Sequence, residues 1–333
     1  MKKNKVDIKF GLRKYILLFL GAIVLRRPFL WIMKLLPGYF DYIFFVYPGQ
    51  KSEIVNYLPK FLVDSSWCRT QIFFGGIITS SQDSGIGRGI LMGAPSTVKS
   101  MVKSSDECNL LKKRIQRIAK SFSIKKVALA GRAPTIFLRN NVLLDNPFVH
   151  GRMGMVFCTI ETLYHIADKH NVLLKESNIV VFGAGDVGKS ISNFLLSEGY
   201  TTKNVRSKTV FNYNNQQLPE TVKDVLGVAD IIVVISATGA DFHPYMKYLK
   251  DNAIIVGETH PPIRRPFARG VICRAAVSLD GLEFVPPLYS YGDTSIPGCL
   301  LEAIMLSKHG SITDQKTFNQ LARGAGFQAK VVE

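Results

Sequence analysis

The chain has 333 residues, 47% of them hydrophobic, which is enough for two ordinary domains with full cores and excludes a disordered chain. Its 42 lysines and arginines against 25 aspartates and glutamates give a net charge of +17, a field that draws acidic proteins, anionic lipid headgroups or polyanions. No nucleic-acid recognition motif accompanies that charge, so no nucleic-acid partner is expected.

The five cysteines, Cys68, Cys108, Cys158, Cys273 and Cys299, are scattered, with no C-x-x-C pair and no His-bearing spacing. That pattern points to free thiols in a reducing compartment and to no metal site.

In chain order, residues 1–48 come first and differ from the rest. Their uninterrupted apolar run, YILLFLGAIVL, has 11 residues, short of the ~20 that cross a bilayer as a helix. No A-x-A cleavage site follows it. Aromatic residues punctuated by cations suit an in-plane anchor on an anionic leaflet, with an N-terminal helical extension packed on the protein itself as the alternative.

From residue 49 to 155 the pattern reads as an α/β domain suited to holding a substrate. The runs "RTQIFFGGIITSS", "GRGILMGA" and "KKVALAG" read as strands, and "CNLLKKRIQRIAKSF" as an amphipathic helix. His150, Arg132 and Arg152, near the join, are either phosphate contacts or solvated loop residues. A helix with Val156, Ile160, Leu163 and Ile166 on one face then opens a second domain over 156–285.

The most informative stretch is "SNIVVFGAGDVGKSISNFLLSEG", residues 177–199. A strand runs directly into Gly183, Ala184, Gly185, Asp186, Val187 and Gly188 at G-x-G-x-x-G spacing, and an amphipathic helix follows. The first glycine of such a turn makes it tight, the second admits a pyrophosphate, and the third lets helix and strand pack closely. "ADIIVVISATG", "NAIIVGETHPP" and "RGVICRAAVS" continue as buried strands, so Ser236, Ala237 and Thr238, at a strand end, are expected near the nicotinamide half. The fold class is therefore α/β, a Rossmann-type parallel-sheet NAD(P)-binding domain beside a smaller α/β domain.

Between Gly199 and Pro219 there is no acidic residue to hold a ribose 2′-OH, while Lys203, Arg206 and Lys208 fall there. NADPH is the expected cofactor, with NADH as the alternative. Asn212, Asn214 and Asn215 are read as its hydrogen-bond donors at the strand tip.

Residues 286–333 form a C-terminal helical segment in which Cys299 follows Pro297 and Gly298 at the start of a helix. A thiol there feels unpaired N–H groups and the positive end of the dipole, which favour thiolate. It is either a nucleophile or a small buried hydrophobe. Glu302, three residues on, either orients or deprotonates that thiol or is an exposed helix carboxylate. His260, beyond a sheet strand, either protonates a substrate oxygen or is a surface histidine.

Taken together, "GRGILMGAPSTVKSM", "KKVALAGRAPTIF", "VVFGAGDVGKSI", "ADIIVVIS", the C-x-x-E segment "GCLLEAIML" and the closing "GAGF" resemble the cyanobacterial long-chain acyl-ACP reductases over roughly residues 70 to 330. The resemblance implies NADPH-dependent reduction of an acyl thioester, carried by acyl carrier protein or CoA, to a fatty aldehyde through an acyl-enzyme on Cys299. His260 matches a tyrosine of that family approximately, and the leader has no counterpart in it. The alternatives are a non-covalent NAD(P)-dependent dehydrogenase acting on a small molecule, and a membrane-associated dinucleotide-binding sensor or scaffold. The expected location is cytoplasmic, and peripheral on the inner face of the cell membrane if residues 1–48 engage lipid.

Overall fold

The computed structural model describes residues 39–47, 71–80, 85–94, 104–183, 185–206, 209–212, 216–236, 238–259, 263, 271–285 and 294–330. They fall into two compact units. One runs through His150 and adds 281–293 and 306–310; the other comprises 151–280, 294–305 and 311–333.

The first unit is built on a six-stranded sheet. Its strands are β1 (Tyr42–Val46), β2 (Phe73–Thr79), β3 (Gly89–Gly93), β4 (Lys126–Leu129), β5 (Phe148–Val149) and β13 (Glu283–Val285), in the order β13-β2-β3-β1-β4-β5. β1 lies between β3 and β4 and pairs parallel with both, while β2 and β13 form an antiparallel edge. Helix α1 (Ser105–Ser121) starts where the Ser104 hydroxyl accepts the N–H groups of Asp106 and Glu107. Cys108, Leu111, Ile115 and Ala119, at helical spacing, share a core with Ile43, Phe45 and Val127. A short helix, α2 (Ala133–Arg139), follows β4.

One expectation fails here. Tyr42–Val46 falls within the stretch read as an N-terminal anchor, and it is instead a central strand of this sheet. A parallel strand covered on both faces must be apolar at every position, so YIFFV reads like a lipid-facing run for a different physical reason. Residues 1–38, with the rest of the anchor reading, lie outside the described residues. Among those described, no helix is long and apolar enough to cross a membrane.

The second unit carries β6 (Ile179–Phe182), β7 (Thr202–Arg206), β8 (Thr209–Phe211), β9 (Ile231–Val234), β10 (Ile254–Gly257) and β11 (Val271–Arg274), ordered β11-β10-β9-β6-β7-β8. Counted along the chain from β6, this is the Rossmann order 3-2-1-4-5-6. All pairings are parallel except β7 with β8. Alternate residues serve opposite faces. Val181 and Val233 join a core with Val156, Ile160 and Leu163 of helix α3 (Arg152–Lys169) and Ile191 and Leu195 of helix α4 (Asp186–Ser197). Val180, Phe182 and Ile232 join Val222, Val225 and Leu226 of helix α5 (Val222–Val228). The chain is thus an α/β protein with a Rossmann-type sheet.

The units divide at Gly151 rather than at 155/156, because α3 begins at Arg152 and its whole buried face belongs to the second sheet. Residues 286–333 are not a separate segment either. The second unit includes 294–305, with the start of α6 (Gly298–His309), and α7 (Gln315–Gly324), which packs on α3 with Arg323 held to Glu161 at 2.6 Å. Phe318 of α7 meets Phe157 edge to face, ring centroids 6.3 Å apart.

Candidate functional site

The glycine turn after β6 separates into two kinds of glycine. Gly183, at φ 121°, lies against the backbone after β9: a Cβ there would stand 2.4 Å from the Ile235 carbonyl oxygen. Gly188 lies against Gly183, whose carbonyl oxygen would be 1.9 Å from a Cβ. Both are therefore required by the protein's own packing, the first at the point where the sheet reverses its strand order and the second where α4 meets β6.

Gly185 is different. Its backbone is extended (φ −76°) and, among the described residues beyond its chain neighbours, nothing lies within 4 Å of the place a Cβ would occupy. It is also the N-cap of α4 and, as a glycine, supplies no side-chain cap to the first-turn N–H groups. Open space over helix-terminal amides is what a dinucleotide pyrophosphate requires, so the residues present fit that group. Asp186 is exposed, with one carboxylate oxygen 4.0 Å from Arg152 Nη1, and Val187 is half-buried. Ala184 lies outside the described residues.

At the end of β9, the Ser236 hydroxyl donates to the Thr238 carbonyl at 2.8 Å, and the Thr238 N–H donates to the Asp241 carboxylate at 2.8 Å. This loop is fixed by its own hydrogen bonds beside Gly183. Ala237 lies outside the described residues.

The expected donors to the cofactor's ribose need correcting. β7 ends at Arg206, directly after Val205, whose carbonyl accepts the Gly183 N–H at 2.9 Å. Arg206 is exposed and stands at the carboxyl tip of the second strand. β8 runs antiparallel, pairing Thr209 with Arg206 and Phe211 with Asn204, so Asn212 is carried toward the opposite end of β7. There its amide is bonded to Gln216 at 2.9 Å. Asn214 and Asn215 lie outside the described residues.

Cys299 is the second residue of α6 and is 7% exposed. Val277 and Ile296 bridge just before it, and the Leu300 and Leu301 N–H groups turn onto the Pro297 carbonyl. Small residues let α3 and α6 approach closely at this point. A Cβ on Gly154 would stand 1.9 Å from the Gly298 carbonyl oxygen, and one on Gly151 would stand 2.8 Å from the Cys299 Cβ.

Glu302 is not an exposed helix carboxylate. Its buried carboxylate accepts three backbone N–H groups at the start of α3, from Gly151 at 3.0 Å, Met153 at 2.6 Å and Gly154 at 3.2 Å. It caps α3 from another helix, supplying the negative charge that this N-terminus favours. Its burial removes the exposed-carboxylate reading, and both of its oxygens already accept backbone amides.

His260, the sequence's candidate beyond this strand, lies outside the described residues, and Glu258 stands two positions before it. Glu258 directly follows β10, its N–H donating to Val234 at 3.0 Å. Its Oε1 is buried and has no hydrogen-bond partner among the described residues; neither has the Oγ1 of the buried Thr259. Arg274, at the end of β11, pairs in register with Gly257. Burial pushes the Glu258 carboxyl up to about 8, outweighing the attraction of Arg274. The Cys158 thiol of α3 is pushed well up, first by burial, then by the charge of Glu258, with Cys299 adding to it.

Of the remaining cations, Arg132 belongs to the first unit, where its N–H donates to the Tyr47 hydroxyl at 2.6 Å, and His150 there is exposed. Cys108, Cys158 and Cys273 are buried and in no disulfide, and Cys68 lies outside the described residues. Among the described residues no cluster of three or more His, Cys, Asp or Glu could hold a metal ion.

No protein-family model and no curated protein sequence matches the chain. Among solved structures, the chain is similar to an NAD-dependent malic enzyme from Thermotoga maritima, at 14% identity over 82% of this chain and 81% of that one, TM-score 0.41. It is also similar to a hetero-hexameric glutamate dehydrogenase from Thermus thermophilus, at 13% identity over 87% of this chain and 74% of that one, TM-score 0.43. At such identities and TM-scores these likenesses carry no argument about activity, which rests on the site itself.

Proposed function

We propose that the chain is an NAD(P)H-dependent oxidoreductase, and within that class a reductase of acyl thioesters to aldehydes. The observation that carries the first statement is Gly185, a glycine that internal packing does not require, placed over the N-terminus of α4 between two glycines that packing does require. The amides of the turn would hold the pyrophosphate, and Arg206 at the tip of β7 would meet a 2′-phosphate, which favours NADPH. The reduced nicotinamide supplies a hydride when bound.

The thioester reading rests on Cys299 in the first turn of α6 and on the resemblance of "GCLLEAIML" and its companion motifs to acyl-ACP reductases. Its thiolate would attack the thioester carbonyl, forming a new C–S bond as the carrier thiol leaves. A net charge of +17 suits an acidic carrier protein as the donor. Residues 1–38, rich in cations and carrying the apolar run YILLFLGAIVL, are read as the part that meets an anionic lipid surface.

A second reading has its own observation. Cys299 is 7% exposed, with its Cβ against Gly151, as a core thiol would be. On that reading the enzyme is a non-covalent dehydrogenase of a small carbonyl compound. Intact mass after incubation with a long-chain acyl-CoA and no NADPH, beside Cys299→Ser, separates the two. An acyl-sized increase on the wild type alone supports the covalent route, and no adduct on either chain supports the second reading.

A further inference from the structure

Three polar features converge at the carboxyl ends of β10 and β11 and take no part in the cofactor turn. Glu258 Oε1 is buried without a hydrogen bond among the described residues, and Thr259 Oγ1 is in the same condition. Arg274 is 7% exposed at the end of the neighbouring strand. Such atoms cost free energy to bury and persist where a ligand completes them. In an open parallel sheet a ligand binds outside the carboxyl ends of the strands, here on the β9–β10–β11 side of the reversal at Gly183 and Ile235.

We propose that Glu258 is the acid of the reduction: its carboxyl gives its proton to the substrate's carbonyl oxygen as that carbonyl is reduced. The inference rests on the dinucleotide reading above but on neither choice of substrate. The carbonyl carbon gains a hydride from reduced nicotinamide dinucleotide, which is oxidised. The C=O π pair becomes an O–H bond to the proton of Glu258, leaving a carboxylate facing Arg274 that water reprotonates. If the carbonyl is an acyl-Cys299, the same carboxylate takes the proton back as C=O re-forms, the C–S bond breaks, and the thiolate leaves and is protonated by water.

Among the described residues, the charge of Arg274 from β11 acts on Glu258, and Glu258 in turn acts on the Cys158 thiol of α3. A buried carboxyl that holds its proton near neutrality is suited to this task, because a general acid works best with a pKa near the operating pH.

The test needs no substrate. Oxidised nicotinamide carries a positive charge that the reduced form lacks, so a neighbouring Glu258 couples its ionisation to the redox state of the bound cofactor. Affinities for NADP+ and NADPH are measured by calorimetry from pH 6 to 9 (about this range brackets the carboxyl) on wild type and Glu258→Gln. The expected result is that NADP+ binding strengthens about tenfold relative to NADPH as pH rises in the wild type, and that this ratio is flat in E258Q. The same pH dependence in both chains would overturn the proposal and leave the dinucleotide reading standing. Binding of neither cofactor to the wild type would overturn the dinucleotide reading and the proposal with it. Should E258Q not fold, Glu258→Asp serves, with the dependence kept at a shifted midpoint if the proposal holds and unchanged in midpoint if it fails.

Discussion

Replacing Glu302 distinguishes a cap from a catalytic base. In Glu302→Ala, Gly151, Met153 and Gly154 lose their acceptor, at present 3.0, 2.6 and 3.2 Å away. Hydrogen bonds to a charged group contribute about 1.5–3 kcal/mol each, and a negative charge at a partly buried helix N-terminus adds about 1 kcal/mol. The two shorter bonds and the charge term sum to about 4–7 kcal/mol, which water entering the vacated space reduces to about 4. Glu302→Gln keeps one acceptor oxygen and turns an NH2 toward the remaining N–H groups, for a loss of about 2 kcal/mol. Thermal melting followed by circular dichroism should fall by about 10 °C in E302A. Amide hydrogen exchange at Gly151, Met153 and Gly154 should quicken in both variants, ahead of the β6 amides. An E302Q protein that melts like the wild type, yet has a slower and pH-shifted alkylation of Cys299, would refute the capping account and restore Glu302 as the base.

Three further outcomes follow from the same geometry. Gly188→Ala sets a methyl 1.9 Å from the Gly183 carbonyl oxygen, so α4 must lift from β6 at a cost of about 3 kcal/mol, read as a lowered unfolding midpoint in urea. Arg206→Glu should weaken NADPH about 10–100-fold while changing NADH by no more than a few-fold, since a charged hydrogen bond to the 2′-phosphate is lost; an unchanged ratio of the two affinities would remove Arg206 from the site. Glu258 titrates near 8 in the folded chain against an ordinary 4.5, so its contribution to stability is complete below about pH 4.5 and is lost as pH rises through 8, at no more than about 1.4 kcal/mol per pH unit. Urea unfolding across that range should show the slope in the wild type and a flatter profile in E258Q.

The parts of this molecule that the sequence announces are those whose physics is local. β6, the glycine turn and α4 are legible because an uninterrupted apolar run, three glycines and an apolar stripe of period 3.6 follow one another without a gap. β9 and β10 are legible for the first of those reasons.

What stayed hidden depends on partners distant in the chain. The three-residue β8 reads alike in either direction, so nothing local shows that it runs antiparallel, and Asn212 was placed at the wrong end of β7 for that reason. Glu302 has its acceptor role because of backbone amides about 150 positions earlier, and C-x-x-E spacing points only to its neighbour Cys299. Tyr42–Val46 has the composition of both a membrane-facing run and a central parallel strand, and only its pairing with β3 and β4 separates them. Glu258 is legible in principle as a carboxylate directly after a fully apolar strand, a position at the strand ends where a ligand is expected. His260 drew attention instead because histidine titrates near neutrality without help from its surroundings.

The central claim, that the turn after β6 holds a nicotinamide dinucleotide, is tested most directly by calorimetric titration of NADPH into the wild type and Gly185→Val. Because a Cβ at Gly185 meets nothing within 4 Å among the described residues beyond its chain neighbours and the backbone there is extended, the variant should fold with its stability changed by no more than about 1 kcal/mol. The account predicts that the wild type binds NADPH and that G185V loses at least about tenfold in affinity, since the side chain occupies the space the pyrophosphate needs. A wild type that binds no NADPH, or a G185V protein that binds it equally well, would contradict it.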